Sequence, residues 1–251
     1  MSKHFELTDE TINHEGRTLY RIRATRDLPD HEVKSGDLGG YVESMSNLSD
    51  KAWVNDEAKV YGNAYVYDSA LVDIKAKVFG DAAVYGNARV SGKARVFGNA
   101  RVYGNARVYG NAEVYDNARV FSYAWVFGNA SVYGYAWVYD DEMLLHSNVW
   151  IYGDARVYDN AQVYGNAEVY GNAQVYGKAE VYDGAMVMGN ARLYGNARVS
   201  DNAWVFGNAQ VFGNAQLTGD TQVHDYARVL GDAWLYGDMK VYGKAEVIGT
   251  D

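Results

Sequence analysis

The sequence has no cysteine and a single proline among its 251 residues. Average usage would place roughly a dozen prolines in a chain of this length. Without thiols there is no disulfide scaffold, no thiolate zinc site and no cysteine nucleophile. No apolar run reaches the roughly 18 residues that a membrane-spanning helix needs. The polar opening from Met1 to Glu10 has no apolar signal-peptide core. The expectation is a cytoplasmic protein with no membrane contact. Positive charge is also short: 23 Lys and Arg against 32 Asp and Glu leave a net charge of −9. That balance disfavours nucleic acid and anionic membranes as partners, while leaving room for a local basic patch. What the chain has in excess is Tyr, with 23, and Gly, with 27.

The excess is periodic. From Val42 to Leu144, and again from Ile151 to Val247, every sixth residue is Val, Leu or Ile. Ala stands two residues before it in nearly every unit, as Ala100 does before Val102, and Tyr or Phe follows it in most, as Tyr103 does. Gly or Asp comes next, then most often Asn. Self-similarity at a fixed period is a stronger sign of architecture than local propensity. Ala-x-Val-Tyr alternates with period two, so it reads as a short strand with Ala and Val facing in and with x and the aromatic facing out. The Gly-Asn or Asp-Asn pair is turn chemistry, because these residues tolerate positive φ. Each unit is therefore a strand and a corner, and it must stack on copies of itself. The fold expected is all-β: a single-stranded parallel β-solenoid with a thin Val and Ala core. Polar residues replace the aromatic at Asn55, Asp73 and Ser91, and again at Ser200 and Thr218, three units apart within each set. Counting one inserted residue near position 146, all five fall on one side of a three-sided coil of about 18 residues. Roughly 12 such coils would stack to about 55 Å at a strand spacing of about 4.8 Å.

Residues 1–39 lack the repeat and hold Pro29. Phe5 to Ile12 and Thr18 to Asp27 read as two strands around a His14-Glu15-Gly16 turn. This small N-terminal β cap would cover the first coil, whose free N–H and C=O groups otherwise invite aggregation. The division expected is a capping segment, 1–39, and a repeat, 40–251. The repeat runs to Gly249 with Lys240, Lys244 and Glu246 near the last edge. An edge blunted by charge and end-to-end stacking of copies are both open readings there.

These units resemble the hexapeptide-repeat family, whose motif is an aliphatic residue, a small or acidic residue, two free positions, a small residue and one free position. The resemblance runs from residue 40 almost to the end of the sequence and implies a left-handed parallel β-helix with three units per coil. Left-handedness comes from the resemblance alone, since parallel crossovers are generally right-handed. One departure is that the slot after the aliphatic residue, small in the family, holds Tyr or Phe here. The stretch Gly16-Arg-Thr-Leu-Tyr-Arg-Ile-Arg-Ala24, followed by Gly36-Asp-Leu-Gly-Gly40, is similar to the opening of phage, prophage and enterobacterial hexapeptide proteins. Those are mostly uncharacterised, and some carry an acyltransferase label. The resemblance makes a phage-encoded origin and a host-interaction role conceivable. For the family's enzymes it implies a histidine base in a groove between subunits of a trimer, with loops interrupting the coils and coenzyme A as the acyl carrier.

The histidines are His4, His14, His31, His146 and His224. His224 occupies an aromatic slot and reads as a rung of the ladder. His146 lies in the only break of the repeat, Asp140-Asp-Glu-Met-Leu-Leu-His-Ser-Asn148, where Leu144 and Ile151 stand seven apart. Glu142 takes the inward slot that Ala fills elsewhere, so it must tilt outward, find a partner or bear a desolvation cost. His146 with Glu142, Asp140 or Asp141 is the candidate acid/base constellation, and a tolerated corner bulge is the competing reading. No metal spacing, P-loop or Ser-His-Asp set stands out, and the repeat shows no long insertion to shape a coenzyme A groove. No cofactor or metal is expected; coenzyme A enters only with an acyltransferase reading.

The outward slots supply the binding candidates. Tyr85, Tyr103, Phe121 and Tyr139 fall in one ladder, able to stack on sugars, bases or a partner chain, or only on one another. Arg89, Arg95, Arg101, Arg107 and Arg119 fall within about two coils, forming either an anion patch or a solvated surface balanced by Asp81, Glu113 and Asp116. Counted three units per coil, Trp53, Trp125 and Trp234 share one side, and Trp137, Trp150 and Trp204 lie on the others. Outward Trp is costly unless covered, which makes Trp125, Trp137 and Trp150 candidates for a partner or oligomer contact. The function expected is a non-catalytic structural or binding protein presenting a rigid, aromatic-rich surface to a protein or glycan partner. The alternative is a hexapeptide-class acyltransferase with His146 as general base. A homo-oligomer is open in either case, as a trimer by resemblance or end to end.

Overall fold

The structure is a computed structural model in which residues 3–140 and 148–249 are described. Among them the chain is all-β, with three parallel sheets wound into a β-solenoid and two short helical turns, Pro29–His31 and Met45–Asn47. No helix is long and apolar enough to cross a membrane. The chain divides into two compact units, Met1–Phe121 and Ser122–Asp251.

The first unit opens with an antiparallel hairpin of Phe5–His14 and Arg17–Ala24. Its tip is Glu15-Gly16, both at positive φ, 53° and 79°. The first strand runs to His14, two residues past the end expected from sequence, because the tip needs only those two residues to reverse the chain. Arg17–Ala24 pairs antiparallel with Leu38–Val42, which runs parallel to Lys59–Val60. The hairpin thus takes up hydrogen bonds that an edge strand of the first coil would leave free. It also packs Leu19 with Tyr41 and Tyr61 in a buried cluster. Trp53 was expected to face out, yet it is fully buried. A Cβ at Gly39 would come within 2.7 Å of its ring and 2.5 Å of the Val54 carbonyl, so the close approach itself requires glycine.

From Trp53 onward, strands as short as two residues recur at the six-residue spacing of the repeat. Residues one coil apart pair directly, as Arg89 does with Arg107 and Val90 with Val108. Ala and Val of the repeat, such as Ala100 and Val102, have no exposed surface, and the x slot is exposed or half-buried. Alanine opposite valine keeps the interior thin enough to fill without voids. At the corners, positive φ falls mostly on Gly or on Asp in the same slot, as at Gly98 (68°) and Asp116 (58°), and also on Ile74 and Ser122. No described Asn has positive φ. The corner asparagines bond along the solenoid instead, Nδ2 of Asn87 donating to Oδ1 of Asn105, 18 residues on.

The second unit repeats this construction with one exception. Trp125 pairs with Trp150 and Val126 with Ile151, a step of 25 residues where neighbouring turns step by 18. The turn that contains 141–147 is therefore seven residues longer than the others, not one. Every later position therefore lies one side of the coil on from where the sequence count places it. The expected alignment of Ser200 and Thr218 with Asn55, Asp73 and Ser91 falls with it. The expected grouping of Trp125 with Trp234 falls too: Trp125, Trp150 and Trp204 belong to one sheet, and Trp137 and Trp234 to another.

Candidate binding surface

The aromatic slots do form ladders, and their geometry limits what they can bind. In the first unit Tyr85 lies 4.7 Å from Tyr103 and Tyr103 4.8 Å from Phe121, centroid to centroid, each pair within 1° of parallel. A second stack runs Tyr61, Phe79, Phe97, Tyr115 at 4.9–5.0 Å. In the second unit Tyr139 stacks on Tyr164 and that on Tyr182, while Tyr133, Tyr158, Tyr176, Tyr194 and Phe212 form another stack. Each inner ring has both faces covered by its neighbours, so the ladders offer ring edges and hydroxyls to solvent. His224 is a rung as expected, 4.7 Å from Phe206 and 5.5 Å from Tyr242. Burial in these stacks pushes Tyr152 and Tyr158 up to about 12, with Glu168 adding to the effect at Tyr152 and neighbouring tyrosines at Tyr158.

The five arginines do not share a side. Arg89 and Arg107 are cross-strand neighbours on one sheet, and Arg101 and Arg119 on a second. Arg95 lies on the third, bonded to Glu113 at 2.8 Å and placed over the rings of Phe79 and Phe97. The solenoid deals successive units to successive sides, so a run in sequence is spread over three sheets.

The same dealing concentrates tryptophan. On one sheet of the second unit the outward slots read Trp125, Trp150, Glu168, Met186, Trp204, Gln222, Lys240. On the next they read Ser131, Arg156, Gln174, Arg192, Gln210, Arg228, Glu246. Trp150 is 37% exposed and Trp204 41%, and Trp125 stacks on Trp150 at 6.1 Å. Trp137 is also exposed but has Gln162 and then Glu180 beside it. Trp204 belongs to this surface although sequence counting set it apart from Trp125. The missing signal was the length of the turn between them.

His146, Glu142 and Asp141 lie outside the described residues; Asp140, at their margin, is buried. His4, His14 and His31 sit in the N-terminal segment. His4 is buried with Nε2 2.8 Å from the Ala52 carbonyl, and His31 Nε2 is 2.9 Å from that of Lys51. Since a carbonyl only accepts, both rings donate from Nε2 there. Burial holds His4, His14 and His31 below the usual histidine range. Among the described residues no group of His, Asp or Glu is arranged to hold a metal ion.

Six stretches, 82–98, 94–110, 100–114, 151–163, 161–177 and 191–207, match the family model described as the YdcK beta solenoid repeat. No curated protein matches the chain. The matched stretches fall on coils of both units, and with the pairing of strands across turns they make this a β-solenoid repeat protein.

Proposed function

We propose that the chain is a non-catalytic binding scaffold, phage-related and cytoplasmic as its opening segment and composition suggest, and that the tryptophan-bearing sheet of Ser122–Asp251 faces its partner. The observation that carries this is the contrast between neighbouring sheets: one row holds three Trp and a Met with one carboxylate and, at its end, one Lys, while the next alternates Arg with Gln between Ser131 and Glu246. Exposed apolar rows of this kind are the part of a surface that association covers. A protein partner fits better than a glycan. Trp125 and Trp150 spend ring faces on each other, and the ridges they leave suit interdigitating side chains rather than flat sugar faces.

The test is the double substitution Trp150→Ala with Trp204→Ala, assayed by quantitative crosslinking to the host protein that wild type enriches. The expected result is loss of that crosslink with the melting temperature nearly unchanged, because neither side chain enters the core. Retention of the partner by the double variant removes the reading. Loss of binding on a glycan array instead would reassign the partner's class.

One observation favours a second reading, acyl transfer with His146 as base and coenzyme A as carrier. The turn containing His146, Glu142 and Asp141 is the one that is seven residues long in excess. Release of coenzyme A from acetyl-coenzyme A that disappears in His146→Ala is its expected signature. No turnover with a panel of amine and hydroxyl acceptors counts against it.

A further inference from the structure

The hairpin tip of the first unit and a corner of the solenoid together line an open cleft of about 310 Å³. Its floor is Gly62 and Gly80, both at positive φ, and a Cβ on Gly62 would come within 3.2 Å of the Gly80 backbone. These two positions therefore add no side chain to the cleft. Around it stand Glu15 and Arg17 from the tip, Tyr61 and Phe79 from the ladder, and Asn63 and Asp81 from the corner.

These groups are held in place but not saturated. Arg17 grips Glu43 through Nη1 at 2.9 and 3.0 Å, and the same carboxylate accepts the Gly62 N–H. Nδ2 of Asn63 donates to Oδ1 of Asp81 at 2.8 Å, which leaves Oδ2 as an acceptor. Glu15 meets two donors at the long limit of bonding, the Tyr61 hydroxyl at 3.4 Å and Lys77 Nζ at 3.8 Å, while His14 Nε2, 3.4 Å away, makes no hydrogen bond. Contacts of this length contribute little, so a ligand atom placed among them gains more than it displaces. Arg17 and Lys77 stand against Glu15, Glu43 and Asp81, one negative charge in excess, so an anionic ligand is not selected.

We infer that this cleft binds a single polyhydroxylated ring, a pyranose-type sugar unit. A sugar hydroxyl donates and accepts at once, which suits alternating carboxylate, amide, guanidinium and phenol groups. Its carbon–hydrogen face suits a bare glycine floor beside the edges of Tyr61 and Phe79. The volume matches the lower end of small-molecule sites. The inference makes no use of the tryptophan row, and either can fail alone.

The test is an NMR titration of the full chain with galactose, glucose, mannose and N-acetylglucosamine, with glycerol and inorganic phosphate as controls. The expected result is saturable movement of the Gly62, Asn63, Gly80 and Asp81 amides with at least one sugar. Glu15→Gln and Asp81→Ala should each weaken that binding about tenfold, the effect of one lost hydrogen bond to a charged acceptor. Asp81→Asn, which keeps the corner bond to Asn63, guards against loss of local structure. No saturable response to any sugar overturns the proposal. So does an equal response to glycerol or phosphate, or unchanged affinity in both Glu15→Gln and Asp81→Ala.

Discussion

Gly171 and Asp201 occupy the same corner slot and meet the same backbone demand differently. Gly171 has φ of 71°, and a Cβ there would lie 3.0 Å from the Gly189 nitrogen. Gly171→Ala then combines left-handed strain with a close approach, and a loss of about 1–3 kcal/mol is expected. Asp201, at φ of 57°, accepts the Gly219 N–H on Oδ2 at 2.9 Å, a bond made to the next coil. Asp201→Ala should cost about 1–2 kcal/mol and Asp201→Gly less, since glycine relieves the strain while losing the bond. Urea midpoints of the three variants check the order. The sequence identified the corner residues as a class but did not separate their roles. Asn carries the positive φ nowhere in the described residues and builds side-chain chains such as Asn172 to Asn190 to Asn208. That role depends on which residue lies one turn above, which local turn propensity does not contain.

A strand of two residues is held by what stacks on it. Tyr176 sits 4.9 Å from Tyr158 and 5.0 Å from Tyr194. Tyr176→Ala removes both stacks, for an expected loss of about 1–3 kcal/mol. Tyr176→Phe should be near neutral, because the rings rather than the hydroxyl make the ladder; thermal denaturation of both variants decides. In-out parity and strand length were legible because alternation reports burial directly. The long turn was not. Leu144 continues the aliphatic spacing in sequence, so the period reads as surviving with one added residue. The pairing of Val126 with Ile151 exposes the difference. Trp53 was misplaced for a related reason: the segment that buries it is not periodic, so parity says nothing of its path.

Over the whole molecule, tyrosine burial sets the response to alkali. Burial raises Tyr61, Tyr152 and Tyr158 from 10.0 in the free side chain to about 12. The folded state thus keeps the phenolic proton more tightly than the unfolded state. The stability this supplies is complete below pH about 10 and is lost as pH rises from there toward 12. Denaturant midpoints measured from pH 8 upward should be level until about pH 10 and then fall, in step with late tyrosinate absorbance. A decline that begins well below pH 10 contradicts the assignment.

The constant step of 18 residues between paired turns has a genetic meaning. Removal of residues 160–177 joins Asp159 to Lys178 and leaves aliphatic, aromatic and corner slots in phase. All later side chains keep their side of the coil. Removal of one or two six-residue units preserves the local pattern equally well, yet it rotates everything downstream and breaks up both the tryptophan row and the tyrosine stacks. Selection on a surface of this kind therefore sees insertions and deletions as a reading frame of its own, three units wide, laid over the frame of the codons.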